Sequence, residues 1–332
     1  MGSLNVLHHA QCFDGAASAA LAKAFFDLHL GPQADVRFIA KDHCRGDPYT
    51  DADFDADCTV SVDFRYTQRP GLTWFFDHHA SAFQQPGDRE HFVADRSGRK
   101  FHDPKAASCA GYIARIARLR FDRDLGAHAN LITWADRIDS ASFPDPYMPV
   151  ALAAPAMRLM AFAESCRDPE EIDRFIRDLL IVPMERHAEA DYVRARLGPL
   201  LARHREDIEL IGARIEVTGA VAHFNLLDQP ARAFNKFIPY FHYPRIPYVV
   251  SVSRGPHRRI KITAGYNPWL ANEARRHNMA ALLEPYGGGG HPFVAGCSFE
   301  ANDEERALRA VDALVHRLSG TAARCDDPLV CT

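Results

Sequence analysis

Three short apolar runs near the start of this chain end on side chains that a buried strand has no use for. Leu4-Asn5-Val6-Leu7 leads into His8-His9-Ala10-Gln11-Cys12-Phe13-Asp14-Gly15, Thr59-Val60-Ser61-Val62 stops at Asp63, and Leu72 to Phe76 stops at Asp77-His78-His79. With Val36 to Ala40 they read as strands. The alanine-rich stretch Ala16 to Leu30, then Lys105 to Leu119 and Leu125 to Ile138, read as helices. Strands alternating with helices predict an α/β domain whose mainly parallel sheet carries helices on both faces. All carboxyl ends of such a sheet lie on one edge, and ligands bind there. His9, Cys12, Asp14, Asp63, Asp77, His78 and His79 are therefore expected together on one edge.

Asp168-Pro169-Glu170-Glu171 is a helix start, with a capping aspartate, a proline in the first turn and a capping-box glutamate. The helical stretch behind it is interrupted at Pro183 and runs to about Glu206. Beyond it, Ala213 to Ala222, Tyr248 to Ser253 and Arg259 to Ala264 read as strands, and Ala271 to Glu284 and Asp303 to Leu318 as helices. The expected organisation is a first domain over 1–165, a helical connector over 166–206, a smaller α+β domain over 207–320 and a tail over 321–332. The polar stretch Gln84 to Lys105 reads as a mobile loop near the acidic edge.

Aspartate and histidine suit hard-to-borderline divalent cations. Asp63 alone would cap a turn; beside Asp77-His78-His79 it reads as a carboxylate bridging two cations, an arrangement suited to in-line displacement at phosphorus. Trp134-Ala135-Asp136-Arg137-Ile138-Asp139 sets two carboxylates three positions apart on one helical face, and pattern alone leaves open which is a ligand. Gly287-Gly288-Gly289-Gly290-His291 is a glycine turn whose backbone N–H groups can approach a phosphate closely. Arg254 to Lys261, with Arg258 and Arg259, reads either as a solvated hairpin tip or as a phosphate-steering turn. Phe241-His242-Tyr243 and Tyr266-Asn267-Pro268-Trp269 offer stacking faces for a base or core aromatics. His8 reads as packed or solvent-facing, and Cys109 and Cys166 as core thiols.

A net charge of −4 excludes a global basic field that would grip long nucleic acid. Eight cysteines without CxxC pairing argue against a zinc ribbon or disulfide scaffold, and no apolar run reaches the length of a membrane span. The start, Met1-Gly2-Ser3-Leu4-Asn5-Val6, shows neither a myristoylation nor a secretory pattern. A cytoplasmic protein is expected.

The ordered motifs resemble the DHH phosphoesterase superfamily, which includes RecJ-type exonucleases, nano-RNases, pAp phosphatases and cyclic-dinucleotide phosphodiesterases. Asp14-Gly15 is similar to its first motif, Val62-Asp63 to its second, Asp77-His78-His79 to its third and Asp136/Asp139 to its fourth. Gly287 to Gly296 resembles the glycine-histidine signature of the associated C-terminal domain. Asp139-Ser140-Ala141-Ser142-Phe143 resembles the family's Asp-Thr-Gly-x-Phe form and tilts the choice to Asp139, while Ala135-Asp136 echoes the RecJ form. The resemblance implies that Asp14, Asp63, His78 and Asp139 or Asp136 hold divalent metal, typically Mn²⁺. It further implies that His79 contacts phosphate, that His291 with the Gly287–Gly290 backbone binds substrate phosphate, and that the cleft between the domains is the active site. Two departures stand out. The first motif presents Ala10 and Cys12 with His9 displaced by one; if His9 and Cys12 both ligate, that position favours softer Zn²⁺, Fe²⁺ or Co²⁺. Thr263-Ala264-Gly265-Tyr266 replaces a Ser-x-Arg segment, leaving Arg258, Arg259 or Lys261 to substitute.

The expectation is a hydrolase holding one or two divalent ions, with Asp63, His78 and His79 at the chemistry. It would act as an oligoribonuclease- or exonuclease-type phosphodiesterase on short oligonucleotides or small nucleotides, giving mononucleotides. The alternatives are a phosphomonoesterase on pAp-like nucleotides or pyrophosphate, and a non-catalytic nucleotide-binding protein. No long duplex or membrane partner is expected, and a homodimer is compatible with the sequence.

Overall fold

Apolar character on every position of a strand calls for cover on both faces, and the first sheet is built that way. The computed structural model describes residues 2–32, 35–44, 46–231, 233–255, 259–270 and 276–320. Strands β1 (Ser3–His9), β2 (Asp35–Lys41), β3 (Cys58–Val62), β4 (Trp74–Asp77) and β5 (Lys100–His102) form a sheet of order β2-β1-β3-β4-β5, parallel throughout. The intervening helices are α1 (Phe13–Leu30), α2 (Asp88–Ala94), α3 (Cys109–Phe121) and α4 (Ala129–Asp139). On β4 the side chains alternate: Trp74 and Phe76 meet Phe25 of α1, while Phe75 meets Tyr66 and Phe92 of α2. Alanines make α1 thin enough to be buried nearly all round from Phe13 to Ala22, so it shows no polar face there. The second face is closed by α2 and by the 3-10 turn Asp51–Phe54, whose Phe54 packs with Leu7, Tyr49 and Phe64.

The stretch from Gln84 to Lys105, expected as a mobile loop, instead holds α2 and β5. A three-residue edge strand needs little apolar surface: Phe101 stacks on Phe76 at 5.2 Å and His102 Nε2 bonds the His79 carbonyl at 2.8 Å. The run is polar because only one of its faces is buried.

Helices α5 (Tyr147–Ala151), α6 (Pro155–Ser165), α7 (Pro169–Ile181), α8 (Met184–His187) and α9 (Asp191–Arg214) follow. Asp168 caps α7, its carboxylate accepting from the N–H groups of Glu170 and Glu171 at 2.9 and 3.2 Å. Glu171 does not close a capping box; it pairs with Arg196. Pro183 ends the helical run and stands at the N-cap of α8. The chain divides into two compact units, residues through Phe143 with Leu152–Gly198, and Pro144–Ala151 with Pro199 onward. The break falls inside α9, at the proline that removes a helical hydrogen bond. Helices α6 and α7 pack on α1 within the first unit.

The second unit contains β6 (Glu216–Thr218), β7 (Val221–Leu226), α10 (Ile238–His242), β8 (Tyr248–Arg254), β9 (Ile260–Tyr266), α11 (Met279–Leu283), β10 (Gly289–His291), β11 (Val294–Phe299) and α12 (Glu304–Ser319). Its sheet runs β10-β11-β9-β8-β7-β6, parallel only between β7 and β8. Ala213 to Ala222, expected as one strand, is the end of α9, then β6, then the start of β7. Gly219 at φ +57° turns the chain back on itself. Of the helix expected over Ala271 to Glu284, residues 271–275 lie outside the described residues and Met279–Leu283 is helical. The tail expected over 321–332 also lies outside them. No helix among the described residues is long and apolar enough to cross a membrane.

Candidate metal centre

Parallel strands place the ends of β1, β3 and β4 side by side, and α1 is drawn tight against the first of them. A Cβ at position 15 would sit 2.3 Å from the His9 carbonyl oxygen, so glycine is what admits the helix there. Asp14, one residue earlier, accepts from the N–H groups of Cys109 at 2.6 Å and Ala110 at 3.0 Å, the first residues of α3. Its carboxylate thus lies at the positive end of that helix. Asp63 leaves β3 in the left-handed region, φ +55°, with its N–H donating to the Phe76 carbonyl at 3.0 Å. Gln11 (φ +51°) and Ala141 (φ +50°) share that conformation in the loops next to His9 and Asp139. Strained backbone of this kind collects at functional sites.

Three carboxylates converge on the His78 imidazole. Its Nδ1 faces the Ala106 carbonyl at 3.1 Å, which directs Nε2 inward, 3.6 Å from Asp14 Oδ2, 3.4 Å from Asp63 Oδ1 and 3.4 Å from Asp139 Oδ2. The other oxygen of Asp63, Oδ2, lies 3.7 Å from His9 Nδ1. Potential ligand atoms fall into three sets, each within 4.8 Å: Asp14, His78 and Asp139; His9, Cys12 and Asp63; and Asp63, His78 and His79. Asp63 therefore turns one oxygen to each side.

The donor set fits divalent cations. Both Asp63 carboxylate oxygens, His78 Nε2 and His9 Nδ1 are buried without a hydrogen-bond partner, a costly state for polar atoms unless a ligand satisfies them. Burial and the neighbouring carboxylates Asp63 and Asp139 hold the Asp14 carboxyl well above its usual range, and burial with Asp63 raises Asp139. Burial alone would raise Asp63, but the imidazoles of His78 and His9 hold it low. Burial opposes protonation of His78, yet Asp63 and Asp14 carry it up to about 10. Burial, then Asp63, pushes the Cys12 thiol up. A cation bound here would offset the same carboxylate charge. Oxygen and nitrogen donors on the Asp14 side suit Mn²⁺; the imidazole, thiol and carboxylate of the other side suit a softer ion.

Asp136 and Asp139 differ in their surroundings. Asp136 Oδ1 accepts from the Ser108 hydroxyl at 2.6 Å, fastening the residue that caps α3, and it lies so close to Gly111 that a Cβ there would meet it at 2.3 Å. It belongs to none of the ligand sets, whereas Asp139 does. Cys12 stands at the N-cap of α1 without making a capping bond. His8 is buried on β1, and burial lowers it to about 4.

The glycine turn lies in the second unit. Chain path explains most of its glycines: Gly287 has φ +70°, a Cβ on Gly288 would meet Cys297 Cβ and the Gly296 carbonyl at 2.6 Å, and one on Gly290 would meet Ala295 Cα at 2.7 Å. Gly289 has open space around its Cβ position, and His291 is exposed beside Phe293. Lys261 is exposed on β9, paired in register with Ser298. Arg259 is engaged with Glu300 at 2.9 Å. Arg258 lies outside the described residues.

Asp77, expected on the edge with the ligand-type side chains, joins none of the ligand sets among the described residues. Asp77 is fully buried, and its Oδ1 accepts from the His78 N–H at 2.8 Å and faces His79 Nδ1 at 2.8 Å. That contact raises His79 and leaves Nε2 as its remaining nitrogen. The signal was in view, since Asp77 precedes both histidines, but a carboxylate that orients a ligand reads in sequence like one that is a ligand.

No family model and no curated protein matches the sequence. Solved structures do match in fold. The pGpG-specific phosphodiesterase PggH from Vibrio cholerae superposes with a TM-score of 0.69 at 18% identity, covering 95% of this chain and 99% of that one. The DHH domain of a protein assigned to a family of ribosomal proteins gives 0.54 at 14% identity, over 97% and 87% of the two chains. RecJ in complex with Mn²⁺ from Thermus thermophilus gives 0.51 at 15% identity, over 95% of this chain and 52% of that one. The chain thus spans about half the length of that RecJ. The architecture read from the sequence, a mainly parallel-sheet α/β unit followed by a smaller α+β unit, agrees with the fold shared with PggH, the second unit's sheet being mixed.

Proposed function

We propose that this chain, which has the fold of the DHH proteins, is a metal-dependent phosphodiesterase of that superfamily acting on short oligonucleotides or small nucleotides. The observation that carries the proposal is Asp63: a buried carboxylate with neither oxygen hydrogen-bonded, one turned to His78 and the other to His9. Asp14, His78 and Asp139 would hold one cation, and His9 and Cys12 a second, with Asp63 between. Divalent cations held there supply acidity that activates water and positive charge that offsets the phosphoryl oxygens.

The chain's own groups do the rest. Asp77 pins His79 through Nδ1, so Nε2 is the nitrogen available to donate to a phosphoryl oxygen as charge develops. The Ala106 carbonyl fixes the His78 ring in the same way. In the second unit, Gly289 and His291 are the candidates for holding a substrate phosphate, with Lys261 as a further positive group. The fold shared with a pGpG-specific enzyme points to the same substrate class, a short 5′-phosphorylated nucleotide.

The test is turnover of a 5′-phosphorylated dinucleotide by metal-stripped protein resupplied separately with Mn²⁺, Co²⁺ or Zn²⁺. Release of mononucleotides, lost in Asp63→Asn and His78→Ala and abolished by chelator, is the expected result. Phosphate release from pAp alone would move the activity to a monoesterase. Chelator-resistant nucleotide binding without turnover would make the chain a binding protein.

A further inference from the structure

Residues that run past the end of a strand lose their ladder hydrogen bonds, and what fixes them afterwards has to come from side chains and turns. His78 and His79 are in that position. Asp77, the last residue of β4, is paired in register with His102 of β5, and the Asp103 N–H donates to the Asp77 carbonyl at 3.1 Å. Beyond that rung Asp77 Oδ1 accepts from the His79 N–H at 3.3 Å and faces its Nδ1 at 2.8 Å. The His79 carbonyl meets two donors. One is the Ala82 N–H at 3.1 Å, which closes a turn; the other is His102 Nε2 at 2.8 Å, reaching across from β5. Because a carbonyl only accepts, Nε2 is the nitrogen of His102 that carries the proton.

His102 is itself held in place. Its half-buried ring stands edge-on to Phe83 at 4.9 Å and to Phe92 at 6.2 Å. Both phenylalanines pack on the buried cluster of Tyr66, Leu72, Phe75 and Ala82. Ala82, at the far end of the turn, accepts from the Tyr66 N–H at 2.8 Å through its carbonyl. The turn that carries His79 is thus fastened at Asp77 and at Ala82, and His102 ties down the carbonyl between them. His102 belongs to none of the ligand sets among the described residues.

We infer that His102 is a positioning residue for the reaction: it fixes the backbone from which the His79 ring reaches, while Asp77 fixes the ring. This rests on the phosphodiesterase reading, in which His79 Nε2 donates to a phosphoryl oxygen, and adds to it a residue on a strand that holds no ligand. Partners of this kind, one step removed from the reacting atoms, change activity by roughly ten- to a hundredfold when lost.

The experiment is a double-mutant cycle on the metal-loaded protein with the dinucleotide as substrate. His102→Phe keeps a ring against Phe83 and removes the donor, while the His79 carbonyl retains the Ala82 N–H. Its kcat should fall roughly tenfold or more, with KM and metal affinity little changed. His102→Gln, whose amide nitrogen reaches as far as Nε2, should recover most of the loss. In a His79→Ala background the same His102→Phe change should have almost no effect. Thermal unfolding confirms that each variant is folded, and His102→Asn, too short to reach the carbonyl, carries the test where His102→Phe does not fold. An effect that persists in full in the His79→Ala background overturns the inference, as does a folded His102→Phe with unaltered kcat. The His79 ring resonance, assigned through His79→Ala and followed with diamagnetic Zn²⁺ in the centre, needs no turnover. It should move in His102→Phe and return in His102→Gln; a resonance that stays in place in His102→Phe also overturns the inference. Absence of hydrolysis is thereby distinguished from absence of positioning by His102.

Discussion

Replacing Gly15 by alanine adds one methyl group at the point where α1 meets the end of β1. On helix propensity alone the change should help, by roughly 1 kcal/mol. Geometry opposes it. The new Cβ would lie 2.3 Å from the His9 carbonyl oxygen and 3.1 Å from His9 Cβ, and Cβ contacts below 3.0 Å are essentially never tolerated. About 0.7 Å must therefore open between a strand end fixed in the sheet and the first turn of a buried helix. Overpacking of this kind costs roughly 1–3 kcal/mol, so the net effect is a loss of up to about 2 kcal/mol. Activity should suffer more, because Asp14 moves with the helix while His9 stays with the strand. Displacements near 1 Å in a catalytic constellation cost on the order of a hundredfold. Urea denaturation gives the stability term, and metal-supported turnover of the dinucleotide gives the second. A Gly15→Ala protein as stable and as active as the unaltered one would refute the claim that this glycine sets the geometry of the site.

Asp139→Asn should lower turnover by at least about a hundredfold with little change in folding, whereas Asp136→Asn should cost roughly 1 kcal/mol of stability through Ser108 and α3, with a smaller effect on rate; denaturation and kinetics on the pair decide it. Free Mn²⁺ at a hundred times its dissociation constant should stabilise the protein by about 2.7 kcal/mol, read as a thermal shift that Asp63→Asn abolishes. Because Asp14, Asp139 and His78 are all held above their usual pKa, cation binding must release protons, so affinity measured by calorimetry should weaken as pH falls. His187 lies outside the centre, buried on Tyr192 at 2.7 Å, and burial lowers it to about 4. The unfolded chain then binds the extra proton first, so stability present above pH 6.5 is lost as pH falls towards 4, by roughly 3 kcal/mol at most. His187→Gln should flatten that part of the denaturation profile.

Local sequence carried far in the first unit because its signals are local. The run Trp74-Phe75-Phe76 can only be a strand covered on both faces, and the acid that ends it must lie at a sheet edge. Asp168-Pro169 capped its helix as read. Signals failed where little burial was needed, as at β5, or where one glycine split a run, as at Gly219.

Residue types at strand ends, the glycine of Asp14-Gly15 and the order of the motifs were settled by the sequence itself, since each depends on backbone period and side-chain chemistry over a few positions. What sets Asp136 and Asp139 apart is visible only in the fold. The two share one helical face, and α4 is seated on α3 so that Ser108 and Gly111 take up the first carboxylate while the second, at the helix end, reaches His78. Which of two neighbouring side chains meets a partner more than fifty residues away is a matter of how two helices pack, and no local pattern contains that.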